Sequence, residues 1–247
     1  LDGGGGNFRS LFMRGLGNVQ GSSALVGLYI DEVGVSGFNG NDIPPNFYDL
    51  ERAEVLRGPQ GTVYGQGSMG GNVKLLTNDP KLDSIVGHFD TSVTSTKGGD
   101  LSKELRGVIN IPLIEDELAV RVASTYEDNG GWIDQPTAFK DNINDEQVSY
   151  VRIKTLWQPS EVFQLKSAVT INRGESNASN VGEDEDGNFM QASFVQNTTP
   201  SADYDYELYS LELSYDFELA QLISSTGYFE ISKDQSNYGR RLPLVAP

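Results

Sequence analysis

Between residues 86 and 233, apolar and polar residues alternate at every second position, segment after segment. In Phe163–Ile171, one face carries Phe163, Leu165, Ser167, Val169 and Ile171, and the other carries Gln164, Lys166, Ala168 and Thr170. In Tyr209–Phe217, Tyr209, Leu211, Leu213, Tyr215 and Phe217 oppose Ser210, Glu212, Ser214 and Asp216. Leu118, Val120, Val122 and Tyr126 alternate in the same way with Ala119, Arg121, Ala123 and Thr125. A period of two makes extended strands with two unlike faces. It predicts seven strands, at 86–96, 102–112, 117–128, 146–157, 161–173, 205–217 and 221–233. They run well past the ~5–6 residues usual in soluble sheets. Short turns fall at Leu113–Asp116, Gln158–Ser160 and Leu219–Ala220, and long connections at 129–145 and 174–204. Such spacing suits an up-and-down meander whose two ends differ, as in bilayer-spanning barrels. Trp157, Phe163 and Phe217 then sit on the apolar face beside short turns, with Tyr126 and Tyr209 on that face at the other end. Two aromatic rings bounding an apolar band are what a membrane barrel needs. The alternative is a β-sandwich with the apolar face as its core.

Composition narrows the chemistry. The 247 residues include no cysteine, one histidine (His88), 18 basic and 35 acidic residues, for a net charge of −17. That excludes disulfide scaffolds, thiolate metal sites and cysteine nucleophiles. The acidic balance argues against nucleic acid as a partner. Hydrophobic residues make up 37% of the chain and aromatic residues 10%, too many aromatics for a disordered acidic tail. No apolar run reaches the ~18–20 residues of a transmembrane helix, but a barrel strand needs only ~9–11 alternating residues. The chain starts at Leu1 without a signal peptide and reads as processed or a fragment.

Residues 1–80 follow other rules. They hold 17 of the 28 glycines and only 3 of the 17 net negative charges, and they end at the turn signal Asn78-Asp79-Pro80. Ala24–Val35 reads as a strand ending in a turn. Phe47–Arg57 reads as a helical turn becoming a strand, and Asn72–Thr77 as a strand. This predicts a small mixed αβ unit. Its densest motif, Arg57 to Gly71, contains Gly65-x-Gly67-x-x-Gly70. A dinucleotide site is rejected, because that fingerprint must open a helix and a strand follows here. A phosphate-binding P-loop is rejected too, since no Gly-Lys-Ser/Thr ends the run.

These segments together resemble the plug domain of TonB-dependent outer-membrane receptors. The match runs through Phe12-Met-Arg14-Gly15, Leu28-Tyr-Ile-Asp-Glu-Val33, Asp49-Leu-Glu-Arg-Ala-Glu-Val-Leu-Arg-Gly-Pro59, Gln60-Gly-Thr-Val-Tyr-Gly65 and Gly70-Gly-Asn-Val-Lys-Leu-Leu-Thr77, in family order and spacing. The resemblance implies a mainly β fold with a plug at 1–80 and antiparallel transmembrane β-barrel strands at 81–247, about 7 of an expected 22. It implies an internal piece of a longer receptor, with the first part of the plug and its TonB box lying before Leu1. The activity implied is uptake of a scarce small-molecule ligand, an iron-siderophore first, or cobalamin, haem or an oligosaccharide. The partners implied are the TonB-ExbB-ExbD complex and outer-membrane lipid. No cofactor is expected, and no enzyme activity.

Residue roles carry over in the same way. Arg14, Glu54 and Arg57 look like plug charges that pair with the inner barrel wall, and Arg121, Arg152, Lys154 and Lys166 like wall partners. Gln20, Phe38, Asn39 and Asn41 fall in loops that resemble the substrate-facing apical loops. The acidic loop 174–204 offers Asp184, Asp186 and Asn188 as weak calcium ligands, although the spacing of an EF-hand fails. No catalytic constellation is found; His88 has no motif near it. The rival readings are a secreted β-rich carbohydrate-binding module and a hydrolase using acidic pairs.

Overall fold

The computed structural model describes residues 11–17, 23–36, 43–64, 67–135, 139–177 and 201–236. The N-terminal unit has a two-stranded ribbon, β1 (Phe12–Met13) and β2 (Leu16–Gly17). A four-stranded sheet follows, from β3 (Val26–Ile30), β4 (Val33–Gly34), β5 (Leu50–Arg57) and β6 (Gly71–Thr77), in the order β4-β3-β6-β5. β3 runs parallel to β6, and β5 antiparallel to it. A four-residue helix, α1 (Gly61–Tyr64), precedes the glycine run, and β6 follows it. The run therefore opens a strand, as the sequence required. Gly71 shows why glycine stands there: its φ is +134°, and a Cβ would lie 2.2 Å from the Leu56 carbonyl oxygen.

The second sheet is a seven-stranded antiparallel meander in strict chain order: β7 (Val86–Ser95), β8 (Leu101–Ile114), β9 (Leu118–Asn129), β10 (Glu146–Ser160), β11 (Phe163–Asn177), β12 (Ser201–Phe217) and β13 (Ala220–Ser236). All seven expected strands are present, most of them longer than expected. Backbone pairing extends an antiparallel ladder beyond the residues whose side chains alternate clearly.

Register sorts the side chains. Phe163, Leu165, Leu211, Leu213, Tyr215, Ile153 and Trp157 fall on one face, and Leu211, Ile153, Trp157 and Tyr215 are exposed. Trp157 meets Phe163 edge-on at 5.5 Å, Phe163 meets Tyr215 at 6.5 Å, and Tyr215 meets Phe217 at 4.6 Å. This row lies at the short-turn end. At the other end Tyr209 meets Tyr228 at 6.2 Å, and the Tyr126 hydroxyl accepts a hydrogen bond from Gln147 at 2.6 Å. From Tyr209 to Phe217 the strand covers about 26 Å at ~3.3 Å per residue, on the scale of the ~25 Å apolar band of a membrane barrel. Among the described residues no helix is long and apolar enough to cross a membrane.

The other face holds the N-terminal unit. One apolar cluster joins Leu28, Ile30, Val33, Val35, Ile43 and Leu75 of that unit to Tyr150, Tyr206 and Leu208 of the wall, with Phe229 beside them. Each fully buried side chain of this kind contributes about 1.5–3 kcal/mol. The linker is fastened as well. Wall residue Asn110, fully buried, accepts from the Lys81 amide at 2.8 Å and donates to the carbonyls of Lys81 at 2.9 Å and Ser84 at 2.7 Å.

Candidate functional site

Beside the apolar contact, the two units meet through charge. Arg121 on β9, Arg152 and Lys154 on β10 and Lys166 on β11 all project from the inner face, because they occupy the polar half of the alternation. Arg121 stands directly opposite Lys154 in the ladder. Like charges in facing positions are destabilising by themselves, so this wall requires anions from elsewhere.

Three aspartates of the N-terminal segment supply them. The Asp49 side chain is 3% exposed and accepts two hydrogen bonds from Arg121, at 2.9 Å from Nε and 2.5 Å from Nη2. Arg152 Nη2 reaches the same carboxylate at 3.2 Å and the Asp49 carbonyl at 2.8 Å. Asn78 adds a bond at 2.9 Å. Burial alone would raise the Asp49 carboxyl. The hydrogen bond and charge of Arg121, followed by the charge of Arg152, outweigh it and hold the group below its ordinary value of 3.8.

Lys154 donates to Asp79 at 2.7 Å, to Thr77 Oγ1 at 2.8 Å and to the Thr77 carbonyl at 3.1 Å, and lies 3.4 Å from Asp31. Asp31 in turn accepts from the Thr77 amide and hydroxyl, each at 2.8 Å. Lys166 meets Asp79 at 2.7 Å and Glu212 at 3.8 Å. Burial raises the Asp79 carboxyl, and Lys154 and Lys166 more than reverse it. Asp31 and Asp49 sit at positive φ, 51° and 58°, in tight turns that aim their carboxylates at the wall.

The residues expected from sequence divide accordingly. Arg121 and Arg152, with Lys154 and Lys166, lie in this network. Arg14, Glu54 and Arg57 do not reach the described wall. Glu54 pairs with Arg52 on its own strand at 2.8 Å, and Arg14 and Arg57 are exposed with no ion pair to a described residue. The reason is positional: Glu54 and Arg57 lie on β5, an edge of the four-stranded sheet whose residues are mostly exposed, and Arg14 lies in the turn between β1 and β2. Gln20, Phe38, Asn39 and Asn41, and the acidic-loop residues Asp184, Asp186 and Asn188, lie outside the described residues. Among the described residues no cluster of histidine, aspartate or glutamate has a metal-holding arrangement. Sequence reasoning missed Asp31, Asp49 and Asp79. The available signal was complementarity, because four inward cations demand acidic partners.

Above the network, toward the long connections, lies a cavity of about 570 Å³, within the range of small-molecule sites. Its floor is the segment Pro44–Leu50. Its wall is built by β8 to β12, with Glu104, Arg106, Glu127, Glu146, Asn172 and Tyr204 among the lining residues. Asn46 ties floor to wall by a 2.9 Å bond to Thr125.

Comparison with known proteins is consistent with this layout. Residues 1–72 match the family described as TonB-dependent Receptor Plug Domain. The pesticin receptor of Yersinia pestis is 28% identical over 156 residues, which are 62% of this chain and 22% of that protein. The metal-pseudopaline receptor CntO of Pseudomonas aeruginosa is 32% identical over 91 residues, 36% of this chain and 12% of that protein. The chain thus spans about a fifth or less of the length of these relatives. Among solved structures, the ferric yersiniabactin uptake receptor FyuA of Yersinia pestis superimposes with a TM-score of 0.73 at 21% identity, covering 92% of this chain and 35% of that one. The siderophore receptor PiuA of Acinetobacter baumannii gives 0.68 at 16% identity, covering 95% and 32%. Residues 1–72 are thus similar to a TonB-dependent receptor plug domain, and the strands that follow have the fold of part of such a receptor's barrel.

Proposed function

We propose that this chain is part of a TonB-dependent outer-membrane receptor that takes up a scarce solute, an iron-siderophore first. Cobalamin, haem or an oligosaccharide would be handled by the same architecture. The observation that carries this reading is the seating of the plug. A small unit is held by buried, desolvated charge pairs on the inner face of a sheet whose outer face is apolar and bounded by aromatic rows. Buried ion pairs suit a part that must stay seated yet be pulled loose, because desolvation offsets much of their attraction. In this reading TonB, energised through ExbB and ExbD, draws on the plug, and the solute passes to the periplasm without bond chemistry.

The test uses the full-length protein in an iron-limited host lacking its own siderophore receptors. The expected result is recovery in the outer-membrane fraction and uptake of a ferric chelate that stops when TonB is deleted. Recovery in the soluble periplasm or medium would overturn the reading and favour a secreted carbohydrate-binding module. TonB-independent uptake would overturn the transport mechanism.

A further inference from the structure

We propose that the cavity between plug and wall binds an uncharged, oxygen-rich molecule, gripped by hydrogen bonds from Tyr48 of the floor and Asn172 of the wall; this rests on the receptor reading above.

The charged side chains of the lining already have partners in the protein. Arg106 pairs with Glu104, and its charge also reaches Glu127, which Asn129 assists. Glu146 accepts hydrogen bonds from the Tyr204 hydroxyl at 2.9 Å and from Asn129 at 3.3 Å. Asp49 is held from below by Arg121 and Arg152. Recognition in this cavity therefore falls to its neutral groups.

Two of those groups are left over. Asn172 lines the cavity and is only 2% exposed, yet its Nδ2 has no hydrogen-bond partner among the described residues. The hydroxyl of Tyr48, in the floor, is likewise buried without a partner. Buried polar atoms are nearly always satisfied, and leaving one unmade is costly. The two do not bond each other, so what completes them comes from outside the protein. An amide N–H calls for an oxygen acceptor, and a phenol can serve an oxygen as donor or acceptor. Carbonyl and hydroxyl oxygens satisfy both.

Both groups stand on fixed supports. The Tyr48 amide donates to Asn46 Oδ1 at 2.8 Å, the Tyr48 carbonyl accepts from Arg152 at 3.4 Å, and Asn46 is itself tied to Thr125 of the wall. Asn172 stands in the ladder between Tyr150 of β10 and Tyr206 of β12, both buried. Its amide can still turn about χ2, a broad torsion, because no hydrogen bond holds Nδ2. Donors placed in advance spend little on ordering when an acceptor arrives. The Tyr48 hydroxyl feels the charges of Asp90, Arg106 and Arg121 on β7 to β9, whereas Asn172 is on β11. An occupant that meets both is extended and carries more than one oxygen. A polyanionic chelate is disfavoured, because Arg106, the one cation among the described lining residues, is engaged by Glu104.

The experiment measures binding to the purified full-length receptor in detergent with three probes. Ferrichrome is an uncharged ferric trihydroxamate, maltotetraose an uncharged oligosaccharide, and ferric enterobactin a polyanionic tris-catecholate. The expected result is saturable binding of one uncharged probe, tighter than that of the tris-catecholate; which of the two binds identifies the source of the oxygens. Tyr48→Phe and Asn172→Leu should each weaken that probe about tenfold, as for one lost hydrogen bond. The thermal midpoint of each ligand-free variant should be unchanged or raised, because the group removed had no partner in the empty protein. Tyr48→Phe deletes a single oxygen and carries the test if Asn172→Leu does not assemble. No saturable binding of either uncharged probe, or tighter binding of the tris-catecholate, would overturn the proposal. So would affinity unchanged by the variants, which assigns the two groups to ordered water, or a lowered midpoint in ligand-free Tyr48→Phe, which makes that group structural. Outer-membrane fractionation and TonB-dependence are read separately. A correctly located, TonB-dependent receptor indifferent to both variants would sink this inference alone.

Discussion

Gly227 of the wall lies directly beneath Val33 of the plug. A Cβ added at Gly227 would sit 2.5 Å from Val33 Cγ2 and 2.7 Å from Cγ1. Valine is β-branched and stiff at χ1, so it has little room to turn aside. The missing side chain is what lets the plug's apolar face rest on Tyr206, Leu208 and Phe229.

Gly227→Ala should therefore unseat the plug rather than break the barrel. Overpacking of this kind costs about 1–3 kcal/mol. Faster proteolysis of the plug in the full-length protein, with heat-resistant barrel mobility unchanged in gels, is the expected readout. Adding Val33→Ala should restore much of the protection. If the double variant is cut as fast as the single one, the contact is not the cause.

Asp49→Asn should be far more damaging than its small change of shape suggests. It leaves Arg121 and Arg152 buried without their counter-charge, a loss on the order of 3–5 kcal/mol. Combining it with Arg121→Gln should cost clearly less than the two single losses added together. Additive losses in urea-induced release of the plug would contradict a direct pair.

Acid should loosen the plug in a defined window. The carboxyls of Asp49 and Asp79 titrate below 3.8 in the folded protein. Their contribution is fully present above that ordinary value and is lost as pH falls below it through the folded values. Plug protection should hold at pH 5 and decline between about pH 4 and 2. A decline centred near pH 6 would assign the effect to other groups.

Leu213 and Ser214 are neighbours at one depth on opposite faces of β12. Leu213→Arg puts a charge midway between the aromatic rows and should cost about 2–4 kcal/mol of barrel stability. Ser214→Arg faces the lumen and should leave assembly nearly unchanged. Outer-membrane yield of the two variants compares them, and equal yields would remove the lipid assignment of that face.

The wall was readable because alternation is a local property. Each of the seven strands announces its own two faces, so the inward placement of Arg121, Arg152, Lys154 and Lys166 followed from parity alone. The aromatic rows followed from parity and strand length. The plug's side of the contact was not readable in the same way. Asp31 and Asp49 occupy positive-φ turns, where no periodicity exists to assign a direction. Motif resemblance drew attention to Arg14, Glu54 and Arg57, which are conspicuous in sequence but sit away from the described wall. Asn172 was hidden for another reason. A buried asparagine on an inner strand face looks like any other, and its missing partner is visible only in three dimensions.

The ladder that places Arg121 opposite Lys154, with Arg152 and Lys166 close by, has a consequence for an emptied lumen. When Asp31, Asp49 and Asp79 leave with the plug, this stretch of wall becomes a strip of fixed positive charge. Rings and strips of such residues favour anions in a water-filled pore. Single-channel recordings of a plug-displaced form should therefore carry an anion-selective contribution from these strands, the opposite of what a chain with a net charge of −17 suggests.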